Sequence, residues 1–233
     1  SEFITSLATG LDERWKVTAQ KDDDEREIED YKSYIDYELI EIEQYKTKKF
    51  KNPKLKRLAN TYINIQRNER EAVENQDFVD STFVSKWNQY QNKRFELLLD
   101  INSIVKIPIQ DKNILDSILK SGKAVKEFNR VYGILVDTFD PKNFVVEEVE
   151  TGSEKEKRYV GNFENTTGHY IDYIDVSIDF YDKNDKVYSG FRFDTRYAWE
   201  NGTKKSFEFS IPDSDTRFKY FKVNLGEKSF RYE

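Results

Sequence analysis

The apolar residues of this 233-residue chain keep two different rhythms, and the change falls close to Pro141. Before it they recur every three or four positions, which puts them on one side of a helix. After it they alternate, which puts them on one face of a strand. Neither a bundle nor a sheet alone satisfies both patterns. The sequence therefore predicts a two-domain α + β chain: helices over 1–140, strands over 141–233, and a boundary in "TFDPKN" at 138–143.

Five helical stripes are legible. Phe3, Leu7, Leu11 and Trp15 make the first; Ile28, Tyr31, Ile35, Leu39, Ile42 and Tyr45 make the second. The second follows Asp22, Asp23 and Asp24, acidic residues that suit the positive end of a helix dipole. Pro53 suits the first turn of a third helix carrying Leu55, Leu58, Tyr62 and Ile65. The fourth stripe runs through Phe83, Trp87, Tyr90, Leu97, Leu98 and Ile101, and "IPIQDKN" separates it from a fifth with Ile114, Ile118, Val125 and Phe128. Each stripe has a polar opposite face and needs a partner to leave water, so the expectation is an antiparallel bundle of about five helices.

Downstream, "FVVEEVE", "RYVGNFEN", "YIDYIDVSIDFYD", "KVYSGFRFDTRY", "KKSFEFSI" and "RFKYFKVNL" read as six strands divided by Gly-, Asn- and Asp-rich turns such as "TGSEK", "DKND" and "ENGT". Ile174, Val176, Ile178 and Phe180 face one way while Asp175, Ser177 and Asp179 face the other, a pattern for one buried and one wet face. Short strands at this spacing suggest a small antiparallel β-sandwich. Hydrophobic residues are only 37% of the chain, but 15 Tyr and 17 Phe supply large rings for two cores. No internal repeat is present.

Net charge is −6 and evenly spread: residues 142–233 hold 15 basic and 18 acidic side chains, leaving 38 − 15 = 23 basic and 44 − 18 = 26 acidic upstream. Neither half has the basic surplus of a nucleic-acid-binding domain. The chain has no cysteine, which excludes disulfides, thiolate metal sites and cysteine nucleophiles. It has no methionine either, which is compatible with a leader removed upstream of residue 1. No apolar run is long enough to span a bilayer.

The segment "DVSIDFYDKNDKV" resembles the motif of FxLYD-type domains, small Ig-like β-sandwiches of bacterial extracytoplasmic proteins and lipoproteins. Ile178, Phe180, Tyr181 and Asp182 match the motif strand, followed by a turn at Lys183–Lys186. Gly161 and Asn165 match the "G-x-x-x-N" strand that precedes it, and "NGTKKSFEFSI" is similar to a later strand. The chain departs at Ile178, where the motif has Phe, and at Asp185, where a turn glycine is common. The resemblance covers about residues 156–225. "FITSLATGLDERW" and "LKRLANTYI" look like the helical region of uncharacterised lipoproteins from Gram-positive bacteria. Together these imply an Ig-like second domain and an extracytoplasmic protein, held at the membrane by an N-terminal lipid ahead of residue 1.

Most chemical motifs fail on inspection. "DKND" puts Lys186 where an EF-hand needs oxygen, and no glycine follows, so a hairpin turn is the expected role and no metal is assigned. His169 is the only histidine and lacks partners for a nucleophilic dyad or metal set. "SGKA" is not a phosphate loop: Ser117 and Ala124 stand where glycine and Ser/Thr are required. The sequons at Asn165 and Asn201 carry no weight in most bacteria. No cofactor is implied.

Two stretches keep a binding reading beside a structural one. Lys46, Lys48, Lys49, Lys51, Lys54, Lys56 and Arg57 cluster at a helix-to-helix connection, either as a solvated turn with helix-end cations or as a patch for an anionic polymer or phospholipid headgroups. Tyr197 and Trp199 lie two apart beside a turn, either as part of a core end or as a stacking platform for a sugar ring. The leading expectation is a non-enzymatic interaction or structural module of the bacterial cell envelope, its partner an envelope protein or an anionic polymer. The alternatives are a binding module for an anionic envelope polymer or glycan and, third, a carboxylate-only hydrolase, which a cleft holding Asp or Glu with a raised pKa would favour.

Overall fold

The structure, a computed structural model, describes residues 1–22, 25–75, 81–152 and 154–233. Five helices come first: α1 (Glu2–Thr18), α2 (Ile28–Ile42), α3 (Pro53–Glu74), α4 (Ser81–Ile104) and α5 (Lys112–Thr138). Nine antiparallel strands follow among the described residues: β1 (Val145–Thr151), β2 (Glu154–Glu164), β3 (Ile171–Ile174), β4 (Ser177–Tyr181), β5 (Val187–Arg192), β6 (Arg196–Trp199), β7 (Lys204–Pro212), β8 (Tyr220–Asn224) and β9 (Phe230–Tyr232). They form three small sheets, ordered β1-β2-β7, β6-β3-β9 and β5-β4-β8. No helix is long and apolar enough to cross a membrane among the described residues.

The chain divides into two compact units at Glu127/Phe128, inside α5. The change of hydrophobic period at 138–143 marks the end of that helix, whereas the packing boundary comes earlier. Val131 and Leu135, on the last turns of α5, belong to the core of the second unit.

In the first unit the stripes supply the core: Leu7, Leu11, Ile35, Ile42, Tyr62, Leu98 and Ile101 are fully buried. α3 begins as its sequence dictates, with Pro53 in the first turn and Asn52 Oδ1 accepting from the amides of Lys54 and Leu55 at 2.9 and 3.1 Å. α2 begins later than the acidic run suggests, at Ile28, because Glu27 and Asp30 cap it reciprocally. Asp23 and Asp24 lie outside the described residues, as does Ser153 of the "TGSEK" turn. Contacts of Ser6 with Tyr45 and of Arg14 with Glu38 show α1 and α2 antiparallel. Their close approach needs Gly10, since a Cβ there would sit 2.9 Å from the Glu38 Cα.

In the second unit the core is mostly rings. Phe139 meets Phe163 and Phe207 edge-on at 5.0 and 4.9 Å, and Phe209 meets Phe221 at 5.0 Å. Two of the expected strands are each two strands. The third breaks after Ile174, where the chain leaves the β3 sheet and joins the β4 sheet. The switch is fixed by bonds from Asp175 N to Ser229 O and from Phe193 N to Val176 O. Burial still alternates across it, with Ile174, Val176, Ile178 and Phe180 all inside. The fourth breaks between Arg192 and Arg196, and β9 was not anticipated.

Candidate functional site

The basic connection between α2 and α3 does two things. Lys56 turns inward: its Nζ donates to the carbonyls of Tyr45 and Lys46, both at 2.8 Å, and so closes the carbonyl end of the 3-10 turn at Glu43–Lys46 that follows α2. Lys48, Lys49 and Lys51 instead line an open basin of about 600 Å³ together with Phe3, Tyr45, Phe50 and Leu55. Its rings form one cluster, with Phe3 5.6 Å from Tyr45 and 5.5 Å from Phe50. Lys48 crosses the Tyr45 ring at 4.6 Å. Ser1 and Glu2 border the same basin, which gives it one carboxylate. Lys46, Lys54 and Arg57 do not line it. Three of the seven basic residues are thus brought together over aromatic surface, and one serves the backbone.

The unit's most unusual feature leaves only a positional trace in the sequence. All four buried charged side chains among the described residues, Arg14, Glu38, Glu69 and Arg94, lie in one network between the helices. Glu38, with no exposed surface, is its centre. It accepts from Arg14 Nη1 at 2.9 Å, from Arg94 Nε at 3.0 Å, from the Tyr62 hydroxyl and from Gln66 Nε2 at 3.3 Å. Burial opposes its ionisation, but the two guanidiniums outweigh it and hold the carboxyl below the usual range. Gln91 bridges outward, accepting from Arg14 Nη2 at 3.2 Å and donating to Glu69 Oε1 at 2.5 Å.

Glu69 differs from Glu38 in what surrounds it. Its Oε2 has no partner, and burial pushes its pKa up to about 7. A raised carboxyl is the feature expected of a carboxylate hydrolase, yet Glu69 has no exposed surface through which a substrate could reach it. The only periodic clue was position: Glu38 falls on the Ile35–Ile42 face of α2, and Tyr62, Gln66 and Glu69 share one face of α3. A polar residue on a buried stripe is the signal that could have revealed the network.

Beside it lies a recess of about 270 Å³ lined by Arg14, Trp15, Tyr31, Tyr34, Trp87 and Arg94, with Thr18, Arg26 and Gln91 completing the wall. Trp15 Nε1 and the Tyr34 hydroxyl, on residues of this wall, are themselves buried and have no hydrogen-bond partner among the described residues.

Of the two readings of Tyr197 and Trp199, Trp199 takes the core-end one and the stacking platform is not formed. Trp199 is fully buried, its Nε1 donates to Thr203 O at 2.9 Å, and its ring meets Phe139 and Phe207 in the core. Tyr197 is 66% exposed. The two do not share a face because Ala198, between them, has a positive φ of 55° that breaks the pleat.

The residues matched to the FxLYD motif all have structural tasks. Ile178 and Phe180 are core residues, and Tyr181 stacks on Tyr220 at 4.8 Å. Asp182 Oδ1 accepts from the amides of Asn184 and Lys186 at 2.8 and 3.0 Å, which holds its carboxyl below the usual range and ties the β4–β5 turn. Asp185, with φ of 60°, takes the left-handed position that favours glycine. Gly161 leaves room for the Phe163 ring, 2.2 Å from where a Cβ would stand. Asn165, buried, donates to His169 O at 2.9 Å and Trp199 O at 2.7 Å and accepts from Thr167 N and Oγ1 at 3.1 and 2.7 Å. His169 Nδ1 lies 3.0 Å from Glu233 O. No group of acidic or histidine side chains suited to a metal occurs among the described residues.

No family model matches this chain, and neither a curated protein nor a solved structure matches it.

Proposed function

We propose that the protein is a non-enzymatic binding module of the bacterial cell envelope, and that the Lys48–Lys49–Lys51 basin engages phosphate-bearing surface polymer. The observation that carries this reading is the convergence of those three lysines on one basin with a floor of rings. Clustered ammonium groups raise the local concentration of a polyanion, and the rings give its uncharged backbone a surface to lie on. The second unit is read as an Ig-like sandwich of FxLYD type. Support comes from the shared ring core under its antiparallel sheets and from the structural tasks of Gly161, Asn165, Ile178, Phe180, Tyr181 and Asp182. The envelope location and a lipid tether ahead of Ser1 rest on the same resemblance. Such a tether sets the basin toward anionic headgroups, because Ser1 borders it.

The test is sedimentation with anionic phosphatidylglycerol vesicles, neutral phosphatidylcholine vesicles and purified teichoic acid. The expected result is binding to the anionic partners only, weakened by added salt and lost when Lys48, Lys49 and Lys51 are all replaced by Gln. Binding that survives that triple replacement sinks the basin as the site. Teichoic acid binding without vesicle binding identifies wall polymer as the partner.

A further inference from the structure

We infer that the lysine basin takes an anionic amphiphile, a phosphate ester carrying an aliphatic chain. This rests on the reading of the basin as a phosphate site and deepens it, by naming the chemistry of the uncharged part of the ligand. The basin has walls of two kinds: Phe3, Tyr45, Phe50, Leu55 and Val105 are apolar, while Lys48, Lys49 and Lys51 bring charge.

The apolar wall is built by the fold. Phe3, Tyr45 and Leu55 belong to the core of the helical unit, and Phe50 and Val105 pack against that core while staying half-buried. Phe50 is held beside the Phe3 ring at 5.5 Å, with Lys56 Nζ 5.0 Å from its own ring centre. Val105 follows the last residue of α4, and its amide donates to Ile101 O at 3.0 Å. Half-buried apolar side chains around a basin of about 600 Å³ give a ligand preformed surface to cover.

Charge selects the head of the ligand. All three lysines are exposed, and Lys49 and Lys51 make no hydrogen bond or ion pair among the described residues. Lys48 Nζ has one neutral partner, Gln44 Oε1 at 2.6 Å. The carboxylate on the wall, Glu2, stands in the first turn of α1, where the helix dipole already favours it. Upstream on the same connection, Glu43 is paired with Arg67. Three ammonium groups against one carboxylate leave the wall positive, and Lys56 beside Phe50 adds to that sign. Lysines act on phosphate as point charges, whereas a planar carboxylate is matched by the fork of an arginine, and no arginine lines the basin.

Hydrogen bonding selects the body. The Tyr45 hydroxyl lies 3.2 Å from Ser6 Oγ, and Asn52 Oδ1 is occupied in capping α3. A sugar or a base laid against this wall would leave polar groups of its own unpaired, which is costly. Methylenes need no partner and gain by leaving water.

Isothermal titration calorimetry, below the micelle concentration of each probe, compares octyl phosphate, butyl phosphate, octanoate and octyl glucoside. The expected result is saturable binding of octyl phosphate, roughly tenfold tighter than butyl phosphate. A fully covered methylene is worth about fourfold, and an open basin covers four of them only in part. Octanoate and octyl glucoside should each bind at least about tenfold more weakly than octyl phosphate. Val105→Gln should weaken octyl phosphate roughly fivefold and leave butyl phosphate unchanged. The chain-length comparison uses the unaltered protein, so it stands whatever that substitution does to folding. Equal affinity for octyl and butyl phosphate overturns the inference and leaves the basin as a site for phosphate alone. Octanoate bound as tightly as octyl phosphate overturns the assignment of the head. Octyl glucoside bound as tightly overturns the inference and the phosphate reading together. No binding of octyl phosphate, with teichoic acid still sedimenting with the protein, overturns the inference only; failure of both overturns the basin as the site.

Discussion

The two units bury polar groups in opposite ways. In the β unit the buried polar cluster is neutral and complete: Asn165 uses both amide hydrogens and accepts twice at its oxygen, all from neighbours within the fold. In the helical unit the cluster is charged and incomplete: two guanidiniums share one ionised carboxylate, Glu69 Oε2 and Gln66 Oε1 lack donors, and Tyr34 and Trp15 lack acceptors. A closed neutral network serves architecture, because nothing further is needed to stabilise it. An open charged one is costly, because its unpaired groups are held away from water.

The comparison breaks most sharply at Glu38. Glu38→Ala leaves Arg14 and Arg94 buried without their counter-charge, with an expected loss of about 3–5 kcal/mol. Far-UV circular dichroism during urea unfolding should show the helical signal collapsing at much lower denaturant; an unshifted transition would mean that water already reaches both guanidiniums.

The next effect is a pH dependence. Glu69 binds its proton more tightly folded, at about 7, than at its ordinary 4.5. The stability conferred by the neutral form is therefore complete below pH 4.5 and is lost as the pH rises through 7. At about 1.4 kcal/mol per pKa unit the loss is on the order of 3 kcal/mol. Glu69→Gln should flatten the slope of stability between those pH values and leave the variant the more stable at pH 8. Parallel curves for both proteins would place the titration elsewhere. Glu38, whose carboxyl is held low, acts in the opposite sense and only at more acid pH.

The smallest of the three concerns the closed cluster. Asn165→Ala strips partners from the carbonyls of Trp199 and His169 and should cost about 2 kcal/mol, with no dependence on pH between 5 and 8. A pH-dependent loss would show that the neutral cluster is coupled to a titrating group and would blur the contrast with the helical unit.

Much of the fold was legible because hydrophobic period is a local property. Five stripes became five helices, and the alternation of Ile174, Val176, Ile178 and Phe180 survived even a change of sheet. Asp182–Lys186 was legible as a turn for the same reason, since the bonds by which the Asp182 carboxylate ties it reach no farther than four residues. The switch after Ile174 was hidden because both sides of it bury the same face, and only the partner strands differ. The Tyr197–Trp199 platform failed on one backbone angle at Ala198 that composition does not report.

By itself, then, the sequence determined a helical and a stranded stretch of chain, the faces they bury and the residues of the basic loop. Only the tertiary structure decided that Lys56 would cap a turn while Lys48, Lys49 and Lys51 shared a basin. It alone assembled Arg14, Glu38, Glu69 and Arg94 from four helices. The physical reason is distance along the chain: side chains on different helices meet only once the bundle has packed, and the field each exerts on the others has no local trace.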